Sequence, residues 1–462
     1  MRSPVYILPV DVLSYIFQLA VDPGTNSLLA DIQTYSKCLR QSLILSSVST
    51  HLRQVALGTP ELWKRIPLKI FKITLIDRFT SLLGHCTALS PYVGVSVWEV
   101  LNEAEAPRVV ETLLTPDIAR KIRAFELKHF QDTANIWIKK LQVSSPMLNT
   151  FSITRESPAF KEADDETSLS FDLGSLDTVT RVVIRGPYLV PPINLPPSVQ
   201  VLRLYNVPKV VQLSLIYQCP NLIECLANSD EDIYADIITP SPFPDPLALN
   251  YLKRLTWPIN CGLDTIRFVQ NFQLPSLEYL QIHHYQREKL DGVRLLCYNV
   301  SATLTTLVIY TLSFTPEYDD LRELFRLPLP MLVNLGISSI SMEPILSAIR
   351  ALPPNDGECN DLEHQHLPSL RLLILACNSR IEPHLLPDLF TKWRIGETSY
   401  FHVKVKSPLS ADEDWSPELR EELKSIVGDR RIEVTWNNKK IQQLYGENSL
   451  VQKTVGGDAG NL

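Results

Sequence analysis

The chain has 462 residues, 45% of them hydrophobic and 21% charged; this is ordinary globular composition, which excludes wholesale disorder, and the length exceeds what one compact core usually holds. Its 44 basic and 51 acidic residues leave a formal charge of -7, spread too evenly to favour nucleic acid or to form an acidic tail. Eight cysteines with no CxxC pair exclude the dense disulfide framework of small secreted domains and fit reduced thiols in the cytoplasm or nucleus.

The first apolar stretch, residues 5–21, is interrupted by Pro9 and Asp11 and preceded only by Arg2, so it reads neither as a signal peptide nor as a membrane span. Pro9 instead marks a helix start, after which Val12, Leu13, Ile16, Phe17 and Ala20 recur at helical spacing. A second such stretch, residues 43–57, carries Leu45, Val48, Leu52, Val55 and Ala56, and is followed by Thr59-Pro60-Glu61-Leu62-Trp63. Two short helices this apolar cannot fill a core alone, so each needs a further surface to cover it.

Leu8-Pro9 with Ile16-Phe17, then Val48 to Ala56, then Pro60-Glu61-Leu62-Trp63, resembles an F-box. The chain is similar to the large fungal family of F-box proteins that carry degenerate leucine-rich repeats. The resemblance implies a three-helix module that docks on the Skp adaptor, and through it on a cullin-RING ligase, while the repeats choose the protein to be ubiquitylated. Carried over, the adaptor-facing positions are Leu8, Pro9, Val12, Ile16, Phe17, Leu45, Val48 and Leu52. Ser49 stands where the family usually has cysteine, Leu52 where tryptophan is common, and 22–42 is a longer connection than the minimal module has.

Residues 68–115 read as a helical connection. Beyond them the register apolar-x-x-apolar-x-apolar recurs ten times, beginning at Ile122, Leu148, Val179, Val199, Leu222, Leu252, Leu277, Leu304, Leu332 and Leu370. Successive starts lie 20 to 31 residues apart, except for one interval of 38 that contains the polar insertion 353–366; leucine-rich repeats have this period. Proline precedes the first leucine by two residues at Leu148, Leu277, Leu332 and Leu370. In a strand, the last two apolar residues of each triplet share one face, so a stack of such units buries what one unit cannot. Helical spacing between strands, as in Leu321, Leu324 and Phe325 or Ile345, Leu346 and Ile349, predicts an outer helical layer. The asparagine that regular repeats carry after the strand is missing, so uneven repeats are expected.

Further on, Phe401, Val403 and Val405, then Ile432, Val434 and Trp436, predict two short strands, with a helix over 418–427 between them and a flexible tail over 441–462. The expected fold is therefore α/β: a small N-terminal helical F-box module over 1–67, then a curved, irregular leucine-rich repeat solenoid with its cap over 116–440.

Sequence signatures of enzymes are missing: there is no Gly-rich phosphate loop, GxSxG, HExxH or DFG-like set. Cys359, Asp361, Glu363, His364 and His366 could offer metal ligands but lack a second ligand pair at recognised spacing, and Cys38 and Cys86 have no visible base partner. His283 and His284 would point to opposite sides of a strand. The expectation is a protein-binding chain without catalysis, metal, cofactor, nucleic acid or membrane. Target-binding candidates are the residues alternating with buried ones on each strand: Arg181, Arg185, Arg203, Tyr205, Tyr279, Gln281, His283 and Tyr310. A free-standing leucine-rich repeat scaffold with a degenerate F-box is the alternative.

Overall fold

The computed structural model describes residues 8–21, 32–70, 76–99, 104–128, 133–154, 171–186, 193–228, 246–259, 268–284, 290–311, 318–339, 343–350, 367, 369–377, 401–406, 421–422, 425, 432–436 and 439–440. The insertion 353–366 with its candidate metal ligands, most of the predicted helix 418–427 and the tail 441–462 lie outside them. The chain divides into two compact units, one made of 1–258 with 267–277 and the other of 259–266 with 278–462. Both are mixed α/β with a large parallel sheet.

The first unit begins with three packed helices, α1 (Val10–Val21), α2 (Ile32–Val48) and α3 (Thr50–Leu57), closed by a 3-10 turn over Pro60–Trp63. Trp63 is buried, and its indole N–H donates to the Ala56 carbonyl at 2.9 Å. Ser49 caps α3, its hydroxyl accepting from the Leu52 amide at 3.2 Å, which satisfies one of the amides a helix start leaves orphaned.

The strands follow directly. They are β1 (Arg65–Ile70), β2 (Val93–Glu99), β3 (Ile122–Lys128), β4 (Thr150–Thr154), β5 (Phe171–Asp172), β6 (Arg181–Arg185), β7 (Ile193–Asn194), β8 (Val201–Tyr205), β9 (Glu224–Asn228), β10 (Leu247–Ala248), β11 (Arg254–Ile259) and β12 (Phe272–Gln273). The order β1-β2-β3-β4-β6-β8-β9-β11 forms one parallel ladder; β5 pairs with β7 and β10 with β12 as separate two-stranded pieces. Connecting helices are α4 (Ile76–Leu89), α5 (Ala106–Leu113), α6 (Pro116–Ala119), α7 (Ala134–Ser144) and α8 (Lys209–Tyr217).

In the second unit β13 (Tyr279–His284), β14 (Thr306–Thr311), β15 (Asn334–Ser339), β16 (Leu372–Cys377), β17 (Phe401–Lys406) and β18 (Ile432–Trp436) are parallel neighbours, with β19 (Lys439–Lys440) antiparallel at the end. Helices α9 (Asp291–Asn299), α10 (Tyr318–Phe325) and α11 (Glu343–Arg350) connect them. Leu321, Leu324, Phe325, Ile345 and Leu346 face inward from α10 and α11, in the segments whose spacing predicts helix.

All ten apolar triplets are buried at every position. Their strand residues stack in register: Phe125, Phe151, Val182, Leu202 and Cys225 are successive partners in the first unit, and Leu280, Leu307, Leu335 and Leu373 in the second, where Val403 continues the row. Strand pairing thus sets apolar side chain upon apolar side chain, each worth about 1.5–3 kcal/mol when fully buried. Trp137 of α7 packs on Phe125 with ring centroids 5.5 Å apart, and Phe125 stacks on Phe151.

The structure corrects the sequence reading at the start of the sheet. Residues 68–115 are no purely helical connection; they hold the second half of β1 and all of β2, with Ile66 and Leu68 in register with Val95 and Val97. Trp63, Ile66 and Leu68 obey the same triplet rule. In front of β6, β8 and β11, extended pieces (β5, β7, β10) replace the expected helices, because Phe171 and Leu173, or Ile193 and Leu195, alternate with period 2 and bury one side only.

Candidate interaction surfaces

Helix α1 is apolar on both sides. Leu13, Phe17 and Val21 point inward, held against α2, where the Cys38 thiol donates to the Val21 carbonyl at 3.0 Å and the Ser42 hydroxyl to the Leu62 carbonyl at 3.0 Å. Outward point Val10, Val12, Tyr15, Ile16 (43% exposed) and Leu19, joined on α2 by Leu43, Ile44 and Val48 (64% exposed). Of the positions carried over for the adaptor, Leu8, Pro9, Val12, Ile16 and Val48 are exposed, and Leu45 and Leu52 half-buried. Phe17 is the correction: at 4% exposure it belongs to the core and presents nothing to a partner. Val10, Tyr15, Leu19, Leu43 and Ile44 extend the exposed face beyond the sequence-derived set. So many exposed apolar side chains on two packed helices are unusual for a surface that faces only water.

A second surface is the sheet face opposite the leucine triplets. In the first unit Arg181, Arg185, Arg203 and Tyr205 share it and are all half-buried. The Arg185 guanidinium lies 4.5 Å over the Tyr205 ring. Arg203 forms an ion pair with Glu224 on β9 at 2.8 Å, so its charge is already answered within the protein.

The same face holds a buried polar group on β2–β4 that sequence reading did not single out. Glu126 and Lys128 form an ion pair at 3.3 Å, and the Ser96 hydroxyl donates to Glu126 at 2.7 Å. Ser152 is the register neighbour of Glu126, and Thr154 of Lys128. Both hydroxyls are buried, 1% and 0% exposed by residue, and neither has a hydrogen-bond partner among the described residues. The alternation rule that selects Arg181 and Arg185 would have found all four; no feature of the sequence shows that they are buried.

In the second unit Tyr279, Gln281, His283 and Tyr310 are brought together. The Tyr279 hydroxyl donates to the Gln281 amide oxygen at 2.6 Å, and the Gln281 amide nitrogen lies 2.8 Å from His283 Nε2. For that amide to donate, the imidazole carries its proton on Nδ1. His283 stacks on Tyr310 with centroids 4.9 Å apart and planes 11° from parallel, and burial raises the Tyr310 hydroxyl pKa.

No protein-family model matches this chain. No curated protein matches it either. The chemistry must therefore be read from the residues themselves. Burial pushes the thiols of Cys86, Cys219 and Cys297 up to about 12 and that of Cys225 higher still, so at neutral pH they are protonated and poor nucleophiles. Among the described residues no group of three or more His, Cys, Asp or Glu could hold a metal ion, and no helix is long and apolar enough to cross a membrane.

Proposed function

We propose that the chain is the substrate-recognition subunit of an SCF-type ubiquitin ligase. On this reading an N-terminal F-box docks on the Skp adaptor, and a curved leucine-rich repeat array presents its strand face to the target. The observation that carries it is the outward apolar face of α1 and α2, centred on Val12, Ile16, Leu19, Ile44 and Val48; a terminal cap of a repeat array would present a polar outer surface instead. Parallel strands recurring every 20 to 38 residues, with triplets stacked in register, support the repeat architecture. Mechanistically such a receptor does no chemistry: it raises the effective concentration of a bound target near a ubiquitin-charged enzyme.

Docking is tested by pull-down of the full chain with purified Skp adaptor. Co-purification that is lost in an Ile16→Asp/Val48→Asp double variant supports the receptor. Absence of binding by the native chain would leave a free-standing repeat scaffold.

A further inference from the structure

In the second unit, the residues that β14 to β17 turn away from the apolar triplets form rows across the strands. Tyr310, Ser338, Ala376 and Lys406 are successive register partners in one row, and Val308, Gly336, Ile374 and Lys404 in the next. Side-chain size falls and rises along both. His283 and Tyr310 stand on neighbouring strands with their rings 4.9 Å apart and nearly parallel, which is about the spacing of the strands themselves. Both rings therefore rise upright from the sheet, and the second face of Tyr310 is turned toward the short side chain of Ser338. Hydrogen bonds from Tyr279 through Gln281 to His283 brace this aromatic wall. Beyond it the surface is low and apolar: Leu372, Ile374 and Ala376 on β16 are half-buried rather than enclosed, and Val308 leans so closely over Gly336 that a β-carbon there would lie 3.2 Å from its Cγ1. On the far side, roughly 14 Å from β14, stand the lysines of β17.

Charge on this face has one sign. No residue that β13 to β17 present on it is acidic, in a chain of net charge -7. Lys404 is half-buried and Lys406 exposed, and neither is engaged by a carboxylate among the described residues. A partner that suits an apolar strip between an aromatic wall and two unanswered cations has an apolar group with negative charge beside it. We infer that this face takes a segment of the target protein in which a bulky apolar side chain is accompanied by aspartate or glutamate. The apolar side chain lies on Ile374 and Ala376 against the open face of Tyr310, and the carboxylates reach Lys404 and Lys406. Tyr279, Gln281 and His283 support the wall, and a wall fixed beforehand loses little freedom on binding.

This rests on the strand face being the target-binding surface. Its test pans a phage-displayed library of random short peptides against the immobilised full chain, with adaptor docking measured separately on the same preparations. The selected peptides should combine a large apolar residue with acidic ones. Lys404→Glu/Lys406→Glu alters side chains that reach water, and its fold is checked by circular dichroism; it should abolish the acidic preference and weaken a selected peptide about tenfold or more. Ile374→Ser should weaken the same peptide with the charge unchanged, whereas Arg203→Gln, on the other unit, should not. Selected peptides without acidic enrichment, an acidic peptide whose affinity survives the lysine reversal, or no selected peptide at all would overturn the inference. Adaptor docking without acidic peptide capture sinks this inference and spares the receptor; capture without docking does the reverse.

Discussion

Ile16 and Phe17 are neighbours on one helix with opposite fates, and the difference is measurable. Phe17→Ala removes a buried ring from between α1 and its partners and should cost about 3–5 kcal/mol; Ile16→Asp changes a side chain already in water and should stay within about 0.5 kcal/mol of the native chain. Urea titration followed by circular dichroism separates the two, and equal destabilisation would contradict the packing of α1. Helical spacing could not assign these faces, because Val12, Leu13, Ile16 and Phe17 are all apolar and the apolar arc is too wide for the sequence to say which part of it is covered. The buried thiols provide a second check at this scale. Cys86, Cys219 and Cys297 are raised to about 12 by burial, against roughly 8.5 in an unfolded chain. Above that lower value the unfolded state has released protons that the folded state still holds. Stability from these groups is therefore full below pH ~8.5 and lost progressively as pH rises toward the folded values. Melting temperatures should fall steadily above pH ~9, and native-state alkylation at neutral pH should leave all three thiols unmodified; a melting temperature that is flat through this range would contradict it.

Elements in this chain are held chiefly by their immediate neighbours in the parallel ladder. Leu335→Ala opens a cavity between β14 and β16 at a position 1% exposed, with an expected cost of about 2–5 kcal/mol. Because each strand pairs only with the strands beside it, the loss should remain local: hydrogen exchange should quicken in β14, β15 and β16 and change little in β1 to β4. Uniform loss of protection along the chain would contradict neighbour-limited stability. This layer was also the most legible in the sequence, since a triplet such as Leu332, Leu335 and Ile337 repeats the same physical demand ten times over. Legibility failed where the demand was met differently. β2 lacks a buried leading residue, Tyr92 being half-buried there, and the triplet Trp63, Ile66 and Leu68 begins inside the 3-10 turn Pro60–Trp63, so helical and strand periodicities overlap there. The short pieces β5 and β7 replace helices because their apolar residues alternate with period 2 rather than recurring at 3 and 4. For the candidate sites, alternation sufficed to place Arg185, Tyr205, His283 and Tyr310 on open faces, but not to show that Glu224 engages Arg203 or that Ser152 and Thr154 are enclosed. Those facts depend on which side chains meet across strands.

At the largest scale, the N-terminal helices of the first unit carry exposed apolar side chains, and in each unit the strand face opposite the apolar triplets carries polar and aromatic residues. A protein with such a division of surfaces is suited to bridging two partners, and its affinities for them should be separable by mutation. The most direct measurement is the affinity of the full chain for purified Skp adaptor, by titration calorimetry, beside the Ile16→Asp/Val48→Asp variant, whose fold is checked by its circular dichroism. A saturable complex with the native chain, weakened at least about 100-fold (some 2.7 kcal/mol) in the folded variant, is predicted. No complex with the native chain, or one that the two aspartates leave intact, would contradict the receptor.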